Sequence, residues 1–149
     1  MRANTYLQFG LLLLGMSSAL AADAFRLTIY DATLFAPQGK WERSKPYALS
    51  LNYHWTLEGK QIADRSVQEI RQQGFQDEIK LATWHHQMKT IFPDVNRGTV
   101  LTAVYMPGNK TLFYHDNKLI GAIKGDEFAQ YFFDIWLGDK TSAPELRRG

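Results

Sequence analysis

The property that most constrains the fold is the hydrophobic period, which changes three times along the chain. Strand-like alternation occurs between residues 25 and 55, two helical stripes follow, strands return near residue 100, and a helix comes last. Side chains repeat every 2 residues in a strand and every 3.6 in a helix, so each segment favours one type of element. Strands, two helices, strands and a helix predict an α+β domain with an antiparallel sheet.

The strands are predicted from apolar residues at alternate positions. The first begins near Phe25, and the second runs from Leu49 to Trp55 with its apolar residues on one face. Three further strands are predicted over residues 100–106, 111–115 and 118–123, the last two joined by a tight hairpin.

The helices are bounded by cap and stop residues. The first begins near Lys60 and stops at Gly74, the second begins near Gln76, and the third is capped by Asp126 and ends at Gly138. Apolar residues cover more than half of the circumference of the third helix: Phe128, Ala129, Phe132, Phe133, Ile135, Trp136 and Leu137. A helix on a sheet needs only one apolar stripe. The excess therefore either packs a core or faces a cavity.

The amino terminus has the pattern of a secretory signal peptide. Arg2 precedes an apolar stretch from Tyr6 to Met16, and Ala19-Leu20-Ala21 is a small-x-small triplet typical of a cleavage site. An uncleaved anchor is the alternative, but a core of about eleven residues is shorter than the roughly 20 that span a bilayer. We expect residues 1–21 to be the signal, 22–149 to be the domain, and the product to be periplasmic or secreted. Cleavage after Ala22 fits almost as well.

Composition excludes several classes of site and partner. The chain has no cysteine, so disulfides, thiolate metal sites and a lipoprotein anchor are excluded. Without Arg2 the remaining chain has 16 basic and 15 acidic residues, and the basic residues are scattered. This balance gives no indication of a nucleic-acid partner.

No motif predicts a metal, a cofactor or a nucleophile. His85 and His86 are adjacent on a helix and point about 100° apart, which does not suit one ion. The histidines are therefore interpreted as unpaired side chains on the surface or on a sheet face. No serine lies in a Gly-x-Ser-x-Gly setting, and no glycine-rich loop suits a phosphate.

Several segments of the chain are distinctive: residues 29–37, Arg65-Ser66, 72–74, 92–95 with Gly98, 113–114 with 119–121, 128–137, and the final 141–147. These segments resemble the chalcone isomerase-like proteins that bacteria export. They follow the order of the family over nearly all of the predicted mature chain. The resemblance implies an open-faced β-sandwich, in which a curved antiparallel sheet carries helices on one face with a cleft between them.

The resemblance also implies two activities for such a cleft. Plant isomerases of the superfamily close a chalcone ring with the help of an arginine, a threonine, and tyrosine and asparagine groups. Related non-catalytic members bind fatty acids, with a basic residue and a phenol at the carboxylate.

Four residues are candidates for ligand binding. By position, Thr28 is similar to the threonine of the family. The arginine of the family falls near residues 16–18, inside the predicted signal, so Arg26 and Arg65 are the possible substitutes. An i, i+4 ion pair with Glu69 is the alternative role for Arg65. Tyr105 belongs to a set of aromatic residues that either fill the core or line a pocket.

Three hypotheses follow. The first is an exported, non-catalytic domain that binds a small apolar or fatty-acid-like molecule. The second is an isomerase or intramolecular lyase acting on chalcone-like enones, which needs a cation for the developing oxyanion. The third is an envelope interaction module that uses the apolar excess of the last helix as a contact surface.

Overall fold

The structure is a computed structural model that describes residues 2–9, 27–139, 141 and 146, with side chains from Ile29 onward. The predicted signal cleavage site and the opening at Phe25 lie outside these residues, as does most of the predicted final turn. Within the described part of the chain, no helix combines the length and the apolar character needed to cross a membrane.

One antiparallel sheet of six strands forms the framework, and its strands follow one another in chain order. The strands are β1 (Arg2–Phe9), β2 (Leu27–Phe35), β3 (Tyr47–Tyr53), β4 (Val100–Met106), β5 (Lys110–His115) and β6 (Lys118–Lys124). Helices α1 (Gly59–Gln72) and α2 (Glu78–Ile91) connect β3 to β4, and α3 (Asp126–Leu137) follows β6. The predicted α+β architecture, an open sheet with helices packed on it, is confirmed.

The strands β3 and β4 show why the helices cover one face only. Every second residue of both strands is buried. The side chains between them are more exposed, and Ser50 and Thr102 form a hydroxyl–hydroxyl hydrogen bond of 2.8 Å on that outer side. Alternation of this kind places one row of side chains under the helices and leaves the other facing outward.

Two predicted details are wrong. The second strand ends at Tyr53, and Trp55 is 46% exposed instead of continuing the buried row. The backbone of Tyr53 bonds to Gly98 and Thr99, and the chain then leaves the sheet. Asp126 is the first residue of α3 and not its cap, which is Gly125. The Asp126 carboxylate instead accepts hydrogen bonds from the Tyr105 hydroxyl and the Gly108 amide.

Helix α1 is held at its start by a close approach between backbones. A Cβ on Gly59 would collide with the carbonyl group of Phe92, so only glycine fits there. The Gly59 amide donates to Asp94 Oδ1 at 2.9 Å. At the other end, Gln73 Nε2 donates to the carbonyl of Tyr131 in α3. The start of α1 is thus fixed against the segment that follows α2, and its other end is joined to α3.

The interior beneath the helices has two distinct ends. The packed end consists of Tyr47, Tyr105 and Phe133, whose rings lie 4.9–6.2 Å apart by centroid. Phe133 is completely buried there. The open end lies under α1 and the second half of α3, where sheet and helices separate and enclose a cleft.

Strand β1 falls within the predicted signal peptide. In the full chain its backbone pairs with β2, with Arg2 opposite Phe35 and Gln8 opposite Thr28. If the signal is removed, β2 becomes the edge of a five-stranded sheet, β2 to β6. The pairing shifts from Leu7–Tyr30 to Gln8–Thr28 and so skips Ile29, which is a bulge.

Candidate functional site

A cleft of about 660 Å³ lies between the sheet and helices α1 and α3. This volume falls within the range usual for small-molecule sites. Most of its lining is aliphatic or aromatic: Ile29, Tyr30, Leu49, Leu51, Tyr53, Leu57, Ile62, Phe92, Leu101, Ala103, Phe113, Tyr114, Ile120, Phe132, Ile135 and Trp136. The remainder comes mainly from polar residues of α1, so the cleft has an apolar body and one polar wall.

A buried hydrogen bond joins the sheet to α3 in this cleft. Trp136 Nε1 donates to the Tyr30 hydroxyl at 2.7 Å, and both side chains are at least 95% buried. The Tyr53 ring meets Tyr30 edge-on at 5.5 Å. Burial raises the pKa of Tyr30 well above its ordinary value, and the nearby Tyr53 raises that pKa further. Burial likewise raises the pKa of Tyr53. Both phenols therefore remain neutral throughout the physiological range.

The polar wall contains an ion pair built within α1. Arg65 Nη2 lies 2.7 Å from Glu69 Oε1, one helical turn away. The side chain of Glu69 is 24% exposed and that of Arg65 is 45% exposed, so the carboxylate is the more buried partner. The two residues act on the pKa of Tyr30 in opposite directions, Glu69 raising it and Arg65 lowering it.

Other polar groups of α1 at the cleft are engaged within the helix. The Ser66 hydroxyl donates to the Ile62 carbonyl at 2.9 Å. Gln61 Oε1 accepts from the Glu58 amide and so closes the helix start. Gln68 and Gln72 also line the cleft. The wall is thus formed by amides, a hydroxyl and one neutralised ion pair.

Of the four predicted binding residues, the structure places Arg65 in the cleft and Tyr105 outside it. Arg65 lines the cleft and also forms the ion pair with Glu69 that was its alternative role. Tyr105 lies at the packed end, donates to Asp126 Oδ1 at 3.0 Å, and is not among the residues lining the cleft. Thr28 is placed in β2 by its backbone, and Arg26 lies outside the described residues.

Sequence reasoning missed Tyr30 as a member of the site and considered Glu69 only as a partner for Arg65. It left open whether Trp136 packs a core or faces a cavity. Tyr30 was assigned to a strand and Trp136 to an apolar helix face, and both assignments are correct. Strict alternation places Ile29 and Tyr30 on opposite faces of the strand, whereas both line the cleft. The excess apolar surface of α3 was the one signal available, since Phe132, Ile135 and Trp136 are cleft residues.

The histidines do not form a metal site in the described part of the chain, where no group of three or more potential ligands occurs. The expectation that they are unpaired is wrong for His54 and His85. His85 Nε2 lies 2.6 Å from Asp64, and His54 Nε2 lies 3.0 Å from Asp31. Sequence spacing does not reveal these pairs, because each histidine lies on a different element or segment from its aspartate.

The order of strands and helices and the cleft between them agree with one known family. A family model described as chalcone isomerase-like matches residues 19–149. This chain belongs to the chalcone isomerase-like family. The match begins beside the predicted cleavage point and includes every element from β2 onward.

Two individual proteins are similar to this chalcone isomerase-like domain. An uncharacterized protein of Haemophilus influenzae is 27% identical over 120 residues, which are 80% of this chain and 58% of that protein. The chain therefore spans less than two thirds of that relative. A crystal structure of an Arabidopsis thaliana fatty-acid binding protein matches with a TM-score of 0.70 and 11% identity, covering 97% of this chain and 82% of the other. At that identity the likeness establishes the fold.

Proposed function

We propose that this chalcone isomerase-like domain binds a small or medium-sized apolar molecule, with a fatty-acid-like tail, and does not transform it. The observation that carries the proposal is the cleft of about 660 Å³ with its aromatic and aliphatic lining. A concave apolar site with a few convergent polar groups is the usual form of a small-molecule site. The Arabidopsis thaliana protein of similar fold is a fatty-acid binding protein, which supports a ligand with a long apolar tail here.

Affinity in such a cleft comes mainly from burial of the tail. Each buried methylene contributes about 0.8 kcal/mol. Two more carbons therefore tighten binding by about tenfold, because 1.4 kcal/mol is a factor of ten. The gain stops when the tail fills the cleft, so the dependence of affinity on chain length measures the usable length of the site.

The charge of the polar wall supports binding over ring closure. An isomerase needs a cation directed at the oxyanion that develops in the transition state. Among the described residues lining the cleft, Arg65 is the one cation, and it is neutralised by Glu69 at 2.7 Å. The apolar side chains of α3 that suggested an interaction module, Phe132 and Trp136, are buried at the cleft and not presented outward.

The proposal is tested by closing the cleft with a matched pair of variants. Ile62→Trp adds a large side chain at a partly buried position that lines the cleft, whereas Ile79→Trp makes the same change on α2 at a residue that is 84% exposed. In isothermal titration with saturated C8 to C14 alcohols, we expect the native protein and Ile79→Trp to bind with the chain-length dependence above. Ile62→Trp should lose at least about tenfold in affinity.

Native mass spectrometry and lipid extraction of the purified protein provide an independent readout. A protein that carries no lipid and also ignores the added alcohols and acids would contradict the proposal. Equal affinities in the Ile62→Trp and Ile79→Trp variants would place the ligand elsewhere on the molecule.

We also propose that the domain is exported to the periplasm or secreted. The support is the charged start, apolar core and Ala19-Leu20-Ala21 triplet, together with a family match that begins at residue 19. Intact-mass measurement of protein from the periplasmic fraction should give a chain that starts at Ala22 or Asp23. A full-length chain in the cytosol would overturn the assignment.

A further inference from the structure

The charges around the cleft are few and they cancel. Of the residues that line it within the described chain, Arg65 and Glu69 are the charged ones. They are one turn apart on α1 and joined at 2.7 Å. Residues at i and i+4 lie on the same helix face, so α1 forms this pair without help from a ligand. A ligand entering the cleft therefore meets a wall with no net charge.

The relative burial of the two partners acts against an anionic ligand. Glu69 is the less exposed side chain, 24% against 45% for Arg65. A carboxylate headgroup that approached Arg65 from within the cleft would meet the Glu69 carboxylate as well. Like charges at short range repel, and a partly buried position screens them less than bulk water does. A cationic headgroup faces the corresponding repulsion from Arg65.

The other polar groups that line the cleft on its α1 side and its sheet side are mainly uncharged hydrogen-bonding groups. The Tyr30 hydroxyl and the Trp136 indole N–H form a 2.7 Å pair on the sheet side. The side chains of Gln68 and Gln72 and the hydroxyl of Ser66 belong to the α1 side. Hydroxyls and amides serve both as donors and as acceptors, which suits an alcohol, ester or amide.

From this arrangement we propose that the cleft selects an apolar tail bearing an uncharged, hydrogen-bonding headgroup, such as a hydroxyl, ester or amide, over a free fatty acid. This inference depends on the proposed binding function and specifies its ligand class. The Arg65–Glu69 pair sets the selectivity because each residue cancels the attraction that the other would offer to an ionic headgroup.

The experiment compares three headgroups on one tail. Dodecan-1-ol, dodecanoate and dodecylammonium are titrated at pH 7.4, below their aggregation concentrations, by isothermal titration. We expect the alcohol to bind the native protein most tightly. An uncharged headgroup is also the easiest to desolvate in any apolar cleft. Tighter binding of the alcohol is therefore not enough, and variants that change the charge of the Arg65–Glu69 pair are needed to show that this pair sets the selectivity.

Three variants separate the contributions of the two charges. Glu69→Gln removes the negative charge beside Arg65 and should tighten dodecanoate binding by about tenfold with little change for the alcohol, an effect equivalent to about 1.4 kcal/mol. Arg65→Gln should tighten dodecylammonium binding in the same way. The double variant, Arg65→Gln with Glu69→Gln, restores neutrality and should restore the native order of the three ligands. Thermal unfolding followed by circular dichroism verifies that each variant is folded.

The outcomes distinguish this inference from the function on which it rests. Native protein that binds dodecanoate more tightly than dodecan-1-ol, or a Glu69→Gln variant with unchanged dodecanoate affinity, would overturn the headgroup assignment and leave the binding function in place. Failure of the native protein to bind any of the three would remove the binding function, and the inference with it.

Discussion

Helix α3 packs tightly at one end of the interior and borders the open cleft at the other. At the packed end, Phe133 packs against both Tyr47 and Tyr105 and is completely buried. At the open end the adjacent residue, Phe132, lines a cleft together with Trp136. Neighbouring residues of one helix point about 100° apart. One wide apolar face can therefore fill a core on one side and form the wall of a binding site on the other.

The largest expected effect comes from truncating each of these neighbours. Phe133→Ala removes a ring from a closed interior and should lower the free energy of unfolding by about 3–5 kcal/mol. Phe132→Ala should cost less, about 3 kcal/mol, because the space it leaves joins an existing cleft that water or ligand can enter. Urea unfolding of the two variants measures the difference. A greater loss for Phe132→Ala would contradict the division into a packed and an open end.

Unfolding at alkaline pH tests whether water is excluded from the tyrosine hydroxyl in the cleft. Burial raises the pKa of Tyr53 in the cleft and of Tyr47 at the packed end. Above pH of about 10 the unfolded chain loses phenol protons that the folded chain retains. The folded state then binds more protons, so its stability is complete below pH 10 and falls as pH rises, by up to about 1.4 kcal/mol per unit for each tyrosine.

The tyrosines can be separated by single substitutions. Tyr53→Phe and Tyr47→Phe should each reduce the alkaline slope of unfolding free energy, by up to about 1.4 kcal/mol per pH unit. Urea unfolding between pH 9.5 and 11 supplies the slopes. An unchanged slope in Tyr53→Phe alone would mean that water reaches the base of the cleft.

The smallest effect concerns the bond between Tyr30 and Trp136. In a double-mutant cycle, Tyr30→Phe and Trp136→Phe should couple by about 1 kcal/mol, the usual net value of one hydrogen bond. Tyr30→Phe combined with Ile79→Ala is the control, and it should be additive because Ile79 is exposed on α2. Zero coupling for the first pair would show that this bond does not hold α3 to the sheet at the open end.

Local pattern was sufficient for most of the framework. Strand β4 was predicted with its observed bounds, Val100–Met106, and the helix stop at Gly74 agrees with a backbone φ of +102° there. These elements depend on side-chain period and on backbone preferences, which neighbouring residues determine. Trp55 does not follow the predicted alternation because β3 ends at Tyr53. The backbone of Tyr53 forms hydrogen bonds with Gly98 and Thr99, which are distant in sequence.

The site was only partly predictable. Arg65 was identified, and its pair with Glu69 was considered, because both lie on one helix at a spacing that sequence reveals. The hydrogen bond between Tyr30 and Trp136 was not predicted, because it joins residues 106 positions apart. Tyr105 was a reasonable candidate by type, but the fold gives it Asp126 as a partner at the packed end.

The sequence by itself determined an α+β chain with a wide apolar final helix and, by its resemblance, the family to which it belongs. Only the tertiary structure decided that part of this apolar face stays open and that its polar wall has no net charge. The physical reason is that period and propensity act between neighbours, whereas a cleft depends on how far a helix stands from a sheet. The contacts that position the helices, such as the close approach of Gly59 to Phe92 and the bond from Gln73 to Tyr131, join segments far apart in the chain.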